Sequence, residues 1–188
     1  MKKTVILVLI TAQLIAIANS EVFFGGKFIV YYNEDYYSYE WLKEYVTNLR
    51  ALHGLETEER YVLDLKRAID RASAETGLDP LLIVSVITIE TEFRNVIGMA
   101  GELGLMQIKP ETAEFVARVY NLPEPQSGWK VLFWDYELNI LYGSYYLKYL
   151  LNRYKELPKA LEYYNGGRWR NEYAKKILEL YEELKSGS

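Results

Sequence analysis

The sequence predicts a nearly all-α domain, and three features point that way. Apolar residues recur at helical spacing in one segment after another. Capping residues, prolines and glycines stand at the ends of those segments, with few inside them. The one stretch that reads as a strand or hairpin is short, aromatic and near the N-terminus, EVFFGGKFIVYYNEDYY.

The elements follow in chain order. Residues 1–20, MKKTVILVLITAQLIAIANS, read as a secretory leader: basic Lys2 and Lys3, an apolar run from Val5 to Ile17, then small Ala16, Ala18 and Ser20 before a cleavage point at Asn19 or Glu21. An apolar run this short is marginal for spanning a bilayer. An aromatic extension over residues 21–56 contains the hairpin candidate and one helix, EWLKEYVTNLRALH, with Ser38 as its cap and Gly54 beyond its end. Residues 57–185 form the main domain. Its first helix runs from Thr57 to Gly77, with acids in the first turn. Asp79-Pro80 supplies an N-cap and an N1 proline for LLIVSVITIETEF. Pro110 opens a helix through Tyr120, and a proline-rich loop, NLPEPQSGW, follows. Asp135 caps the long helix YELNILYGSYYLKYLLNRY. Gly143 inside that helix costs about 1 kcal/mol relative to alanine, which implies a close packing contact. Pro158 opens a short helix to Tyr164, and NEYAKKILELYEELK is the last.

Composition narrows the function. The chain of 188 residues has no cysteine, so neither a disulfide framework nor lipid attachment at a cysteine is available. Lys2 and Lys3 are the only charges in the leader, so the net charge moves from −4 to −6 without it. That balance disfavours nucleic acid or an anionic membrane surface as partner, and an anionic polymer would have to be bound by local contacts. The 18 tyrosines and four tryptophans suit either helix packing or stacking on sugars. His53, the only histidine, sits at a helix C-terminus and reads as an end-of-helix cation or surface residue.

Two glutamates close the helix that starts at Pro80. Ser85, Thr88 and Glu92 share a polar stripe, whereas Ile83, Val86, Ile87 and Glu90 share an apolar one. Glu92 is therefore expected to be solvated and Glu90 withdrawn from water. Burial raises a carboxyl pKa toward neutrality, as a general acid for glycosidic cleavage requires. The plainer alternative has Glu90 fraying into solvent at the helix end. Gly98, Gly101 and Gly104 then permit a tight turn, and Gln107 offers an amide able to read hydroxyl or acetamido groups. That turn also reads as a simple interhelical loop with Met106 in the core. In ALEYYNGG, Tyr164 could hold the carboxyl and Asn165 could tie the turn; alternatively Asn and Gly simply end a helix.

Taken together, these motifs resemble the soluble lytic transglycosylase family, whose catalytic domain is lysozyme-like and related to goose-type lysozyme. The residues that carry the resemblance are Glu90-Thr91-Glu92-Phe93, then Gly104-Leu105-Met106-Gln107 leading into Ile108, Pro110, Thr112 and Ala113. Next come Asn139-Ile140, Gly143 and Tyr146-Leu147, and last Tyr163-Tyr164-Asn165-Gly166-Gly167. Together they cover about Leu63 to Tyr173. The resemblance implies non-hydrolytic cleavage of the MurNAc–GlcNAc β-1,4 bond of peptidoglycan to a 1,6-anhydro end. Glu90 would be acid and then base, with no metal or cofactor. It further implies that Tyr164 orients Glu90, supported by Thr91 and Asn165. Met106, Gln107, Gly98 and Tyr173 would bind substrate. Three departures matter: Gly98 stands where many members have a serine, Tyr163 replaces an alanine, and Glu102 replaces a small neutral residue. A Glu102 carboxylate facing the groove would hold a water and favour hydrolysis. The expected protein is an exported monomer of the periplasm or cell wall acting on glycan strands. The alternatives are a lysozyme-type muramidase and a non-catalytic wall-binding or secretion-assembly protein.

Overall fold

The computed structural model describes residues 17–18, 21–24, 27–30 and 37–187. The chain divides into two compact units, Met1–Asn33 and Glu34–Ser188. In the first, β1 (Ile17–Ala18), β2 (Glu21–Phe24) and β3 (Lys27–Val30) form an antiparallel sheet in the order β1-β2-β3. Val22 pairs with Ile29 and Phe23 with Phe28 across the Gly-Gly connection, where the sequence suggests a hairpin. The leader expected over residues 1–20 lies outside the described residues apart from Ile17–Ala18.

The second unit is helical: α1 (Tyr39–Ala51), α2 (Glu59–Thr76), α3 (Pro80–Thr91), α4 (Pro110–Tyr120), α5 (Tyr136–Tyr154), α6 (Leu157–Asn165) and α7 (Arg170–Ser186). The loop before α5 contains a feature the sequence does not announce, a 3-10 helix at Trp129–Phe133. Local chemistry sets the helix ends. Ser38 accepts from Trp41 N–H at 3.1 Å, Asp79 from Leu81 N–H at 2.8 Å and Asp135 from Leu138 N–H at 3.0 Å, each satisfying a donor the helix leaves open. Gly77, at φ 75°, ends α2 in the left-handed region that glycine enters without penalty.

Helix α3 is the axis of the core. Every residue from Pro80 to Thr88 is buried, and α3 packs between α2 and α7. The long α5 packs on α2, α4 and α6, and α6 on α7. Each fully buried Ile, Leu or Val along α3 contributes about 1.5–3 kcal/mol of transfer free energy. This corrects the two-stripe reading of α3. Ser85 and Thr88 are buried and satisfied by their own helix, donating to the carbonyls of Leu81 (2.7 Å) and Val84 (2.9 Å). A helix enclosed all round has no polar face, so short hydroxyls that bond backward are tolerated in place of alanine.

The tyrosines serve mostly as packing. Trp41 and Tyr45 stack at 5.0 Å, Tyr61 meets Tyr136 edge-on, and Tyr142 is fully buried with its hydroxyl on the Pro123 carbonyl. Gly143 has the packing role its position implies. A Cβ there would lie 2.7 Å from Met106 Sδ and 3.1 Å from the Tyr164 hydroxyl, so only glycine lets both approach α5.

Candidate active site

Glu90 lies in the last turn of α3, and the chain then makes an abrupt turn. Glu92 (φ 50°) and Phe93 (φ 58°) are consecutive left-handed residues without being glycine, at about 1–2 kcal/mol each. Contacts from α1 and α2 hold them there. Phe93 is fully buried, and its carbonyl accepts from Arg50 Nη1 at 2.8 Å and from the Tyr61 hydroxyl at 2.7 Å. Arg50 stacks on the Tyr61 ring at 4.4 Å and donates further to the Glu56 carbonyl and Thr57 Oγ1. His53 pairs with Glu92. The expected end-of-helix histidine thus hydrogen-bonds the Glu92 carboxyl through Nε2, and Glu92 is anchored at the surface.

The Glu90 carboxyl faces a pocket of about 290 Å³ whose walls include Glu102, Gln107, Tyr146 and Tyr164. Its Oε1 accepts a 2.5 Å hydrogen bond from the Tyr173 hydroxyl of α7. Burial raises its pKa to about 7, against the opposing pull of the Tyr173 hydrogen bond and with a further push from the Glu102 charge. Tyr173 and Tyr164 keep their protons. Burial first, and then the Glu90 charge, drive both phenols well above their ordinary pKa.

The glycine-rich turn is held by three helices, each sending one polar side chain to its backbone. Thr91 of α3 donates to the Leu105 carbonyl at 2.9 Å. Asn139 of α5, fully buried, accepts from Met106 N–H at 2.8 Å and donates to the Leu103 and Leu132 carbonyls, so its amide is fully used. Tyr164 of α6 donates to the Met106 carbonyl at 3.0 Å. Gly104, at φ 68°, admits Asn139: a Cβ would fall 2.5 Å from its Nδ2. Gln107, itself left-handed at φ 48°, donates from Nε2 to the Val96 and Gly104 carbonyls, which directs its carbonyl oxygen away from them.

These positions revise several expected roles. Tyr173, expected at the substrate, is the residue bonded to Glu90, while Tyr164, expected to orient Glu90, bonds the Met106 backbone instead. Met106 does not line the pocket; it is fully buried against Gly143 and Ser144, because the Asn139 and Tyr164 bonds draw its backbone into the core. Gln107 does line the pocket. Gly98 sits where a Cβ would be 2.4 Å from Glu102 Oε2 and 2.7 Å from Gln107 Oε1, so a serine there would require the Glu102 and Gln107 side chains to swing aside. Asn165 is exposed at the pocket edge and ties the following turn, accepting from Gly167 N–H at 3.1 Å. Burial raises the Glu102 carboxyl pKa, but the backbone N–H groups of Glu102 and Ala100, and Lys109 at 3.4 Å, bring it below the usual carboxylate range. Tyr146, Lys109 and Thr112 also line the pocket. In the sequence Tyr146, Thr112 and Asn139 stand only as motif positions, and nothing there marks Lys109. A lone amide in an apolar helix was the available sign that Asn139 holds other backbone.

The fold and pocket therefore define a helical protein with a half-buried glutamate of raised pKa at the end of its central helix. Residues 67–182 match the transglycosylase SLT domain, and the chain belongs to that family. Among solved structures, the 70 kDa soluble lytic transglycosylase of Escherichia coli is similar at 19% identity and TM-score 0.59, over 64% of this chain and 24% of that one. An inactive mutant of the lytic transglycosylase Slt from Pseudomonas aeruginosa aligns at 16% identity and TM-score 0.59, over 79% of this chain and 28% of that one. A complex of the 70 kDa soluble lytic transglycosylase with bulgecin A aligns at 22% identity and TM-score 0.59, over 70% and 26%. This chain spans about a quarter of the length of those enzymes, and the likeness to them is one of fold. The comparison with curated proteins gives no match.

Proposed function

We propose that this chain is an exported lytic transglycosylase that cleaves the β-1,4 bond between MurNAc and GlcNAc in peptidoglycan, in the periplasm or cell wall. The observation that carries the reading is the Glu90 carboxyl, half-buried in a pocket wall with its pKa raised to about 7 and held by Tyr173. A carboxyl still protonated near neutral pH can give its proton to the glycosidic oxygen as the bond to C1 breaks. The resulting carboxylate then accepts the proton of the MurNAc C6 hydroxyl as that oxygen closes on C1, leaving a 1,6-anhydro sugar. One glutamate serves both steps, and its proton is restored at the end. Oxygen acceptors on the same pocket, Gln107 and Glu102, suit hydroxyl and amide donors of a sugar.

Glu102 supports a second reading. It is a carboxylate on the same pocket whose pKa is lowered while that of Glu90 is raised, and such a divergence marks the acid and the charged partner in hydrolytic glycosidases. On that reading Glu102 positions a water and the enzyme is a muramidase. Digestion of purified sacculi by wild type and by Glu90→Gln tests whether the site is catalytic on either reading. Release of soluble fragments is expected from wild type and lost in Glu90→Gln, with pull-down by sacculi unchanged. Equal release from both would remove Glu90 from the chemistry; release from neither, with binding retained, would leave a wall-binding protein.

A further inference from the structure

The pocket wall built by the glycine-rich turn is rich in hydrogen-bond acceptors and poor in free donors. Its backbone N–H groups are spent on the turn itself. Gly98 N–H donates to the Glu102 carbonyl at 2.8 Å, Gly101 to Gly98 at 3.1 Å, Gly104 to Val96 at 2.9 Å and Gln107 to Gly104 at 3.3 Å. Ala100 N–H goes to Glu102 Oε2 at 3.0 Å, and the Gln107 amide nitrogen gives to the Val96 and Gly104 carbonyls. Lys109, the cation that lines this pocket, is drawn to Glu102 Oε1 at 3.4 Å.

Two oxygens on this wall stay open to a ligand. Glu102 Oε2 and Gln107 Oε1 lie 2.4 and 2.7 Å from one point, the place a Cβ on Gly98 would take. With no side chain at Gly98, both approach the same spot. Gln107 Oε1 accepts no hydrogen bond among the described residues, and a carboxylate oxygen has room for a second donor beside Ala100. Glu102 is held in its charged form by its backbone and lysine partners, so one of the two acceptors carries negative charge. A carboxylate and an amide oxygen that converge repel each other until a donor bridges them.

An acetamido group suits such a wall poorly. It has one N–H to give, and its own carbonyl oxygen needs a donor that the turn has already used. An ammonium group brings three donors, no acceptor and a positive charge, and its bond to a carboxylate is charge-assisted. We propose that Glu102 and Gln107 form a subsite selective for glycan strands whose glucosamine has lost its acetyl group, with Glu102 as the specificity-determining residue. The proposal rests on reading the pocket as a glycan site and adds which amino sugar that site prefers. Lys109 offsets part of the Glu102 charge, so the preference is set by contact with Oε2 rather than by a long-range field.

The test uses the full chain carrying Glu90→Gln, so that strands are bound without turnover. Calorimetry compares short glycan strands freed of their peptides, with the glucosamine acetyl groups intact or enzymatically removed. At a pH where the free amines are protonated, the deacetylated strands should bind about three- to fivefold more tightly, the scale of one half-exposed charged contact. At a pH where those amines are neutral the preference should shrink toward parity. Adding Glu102→Gln should abolish or reverse it, because the new amide donates to an acetyl carbonyl. The pH comparison needs no further substitution, so it stands even if Glu102→Gln fails to fold. Acetylated strands bound as tightly as deacetylated ones overturn the subsite, and so does a preference that persists with neutral amines or survives Glu102→Gln. If the parent binds neither strand, the glycan reading falls and takes the subsite with it.

Discussion

Withdrawing the Glu90 carboxyl from water has a thermodynamic signature that can be read without substrate. Its pKa rises from an ordinary 4.5 to about 7, so between those values the native state binds more protons than the unfolded chain. Stability therefore falls as pH rises through that window, and above pH 7 the charged carboxylate costs the fold about 3 kcal/mol. Glu90→Gln removes the ionisation. Its stability relative to wild type, by urea unfolding, should improve by about 3 kcal/mol between pH 4 and pH 8; a constant difference would mean Glu90 is not withdrawn from water. Tyr173→Phe makes a second prediction. Its hydroxyl favours the carboxylate, so removal raises the Glu90 pKa and moves the alkaline limb of the activity profile to higher pH. Turnover itself should fall about ten- to a hundredfold as the acid loses its fixed orientation. Loss of activity with an unmoved limb would place Tyr173 elsewhere in the mechanism. The four motifs taken together, rather than the stripe on α3, single out Glu90 in the sequence. The choice between Tyr164 and Tyr173 was not legible there, because the bond to Glu90 spans 83 residues and depends on how α7 lies against α3.

The helices began and ended close to where local chemistry puts them, since Ser38, Asp79, Asp135, Gly77 and the prolines act within a turn of themselves. What each helix does for the site is a tertiary matter and was not legible. Helix α1 precedes the segment that matches the family, yet Arg50 at its end fixes the left-handed turn that follows the catalytic helix. Arg50→Met removes a charge-assisted bond to the carbonyl of buried Phe93 and should cost about 2 kcal/mol in urea unfolding. Activity at a pH where the variant is folded should fall too, because Glu90 is three residues from the released carbonyl. Unchanged turnover in a destabilised variant would confine α1 to a packing role. The failed stripe on α3 has a similar cause: periodicity reports which residues differ in polarity, and a helix enclosed on all sides hides both kinds.

Across the whole molecule, one domain brings the end of α3, the glycine-rich turn, α5, α6 and α7 to a single pocket, and the order of four short motifs in the sequence anticipated that meeting. The motifs did not decide the fate of the sugar after bond cleavage, because that depends on whether Glu102 leaves a water within reach of C1. The most direct measurement is the mass of soluble products released from purified sacculi by wild type and by Glu90→Gln. The account predicts anhydro-muropeptides, one water lighter than reducing-end products, from wild type alone. Reducing-end products that vanish in Glu90→Gln would contradict the non-hydrolytic step, make the enzyme a muramidase and turn the search for the residue that holds the water to Glu102.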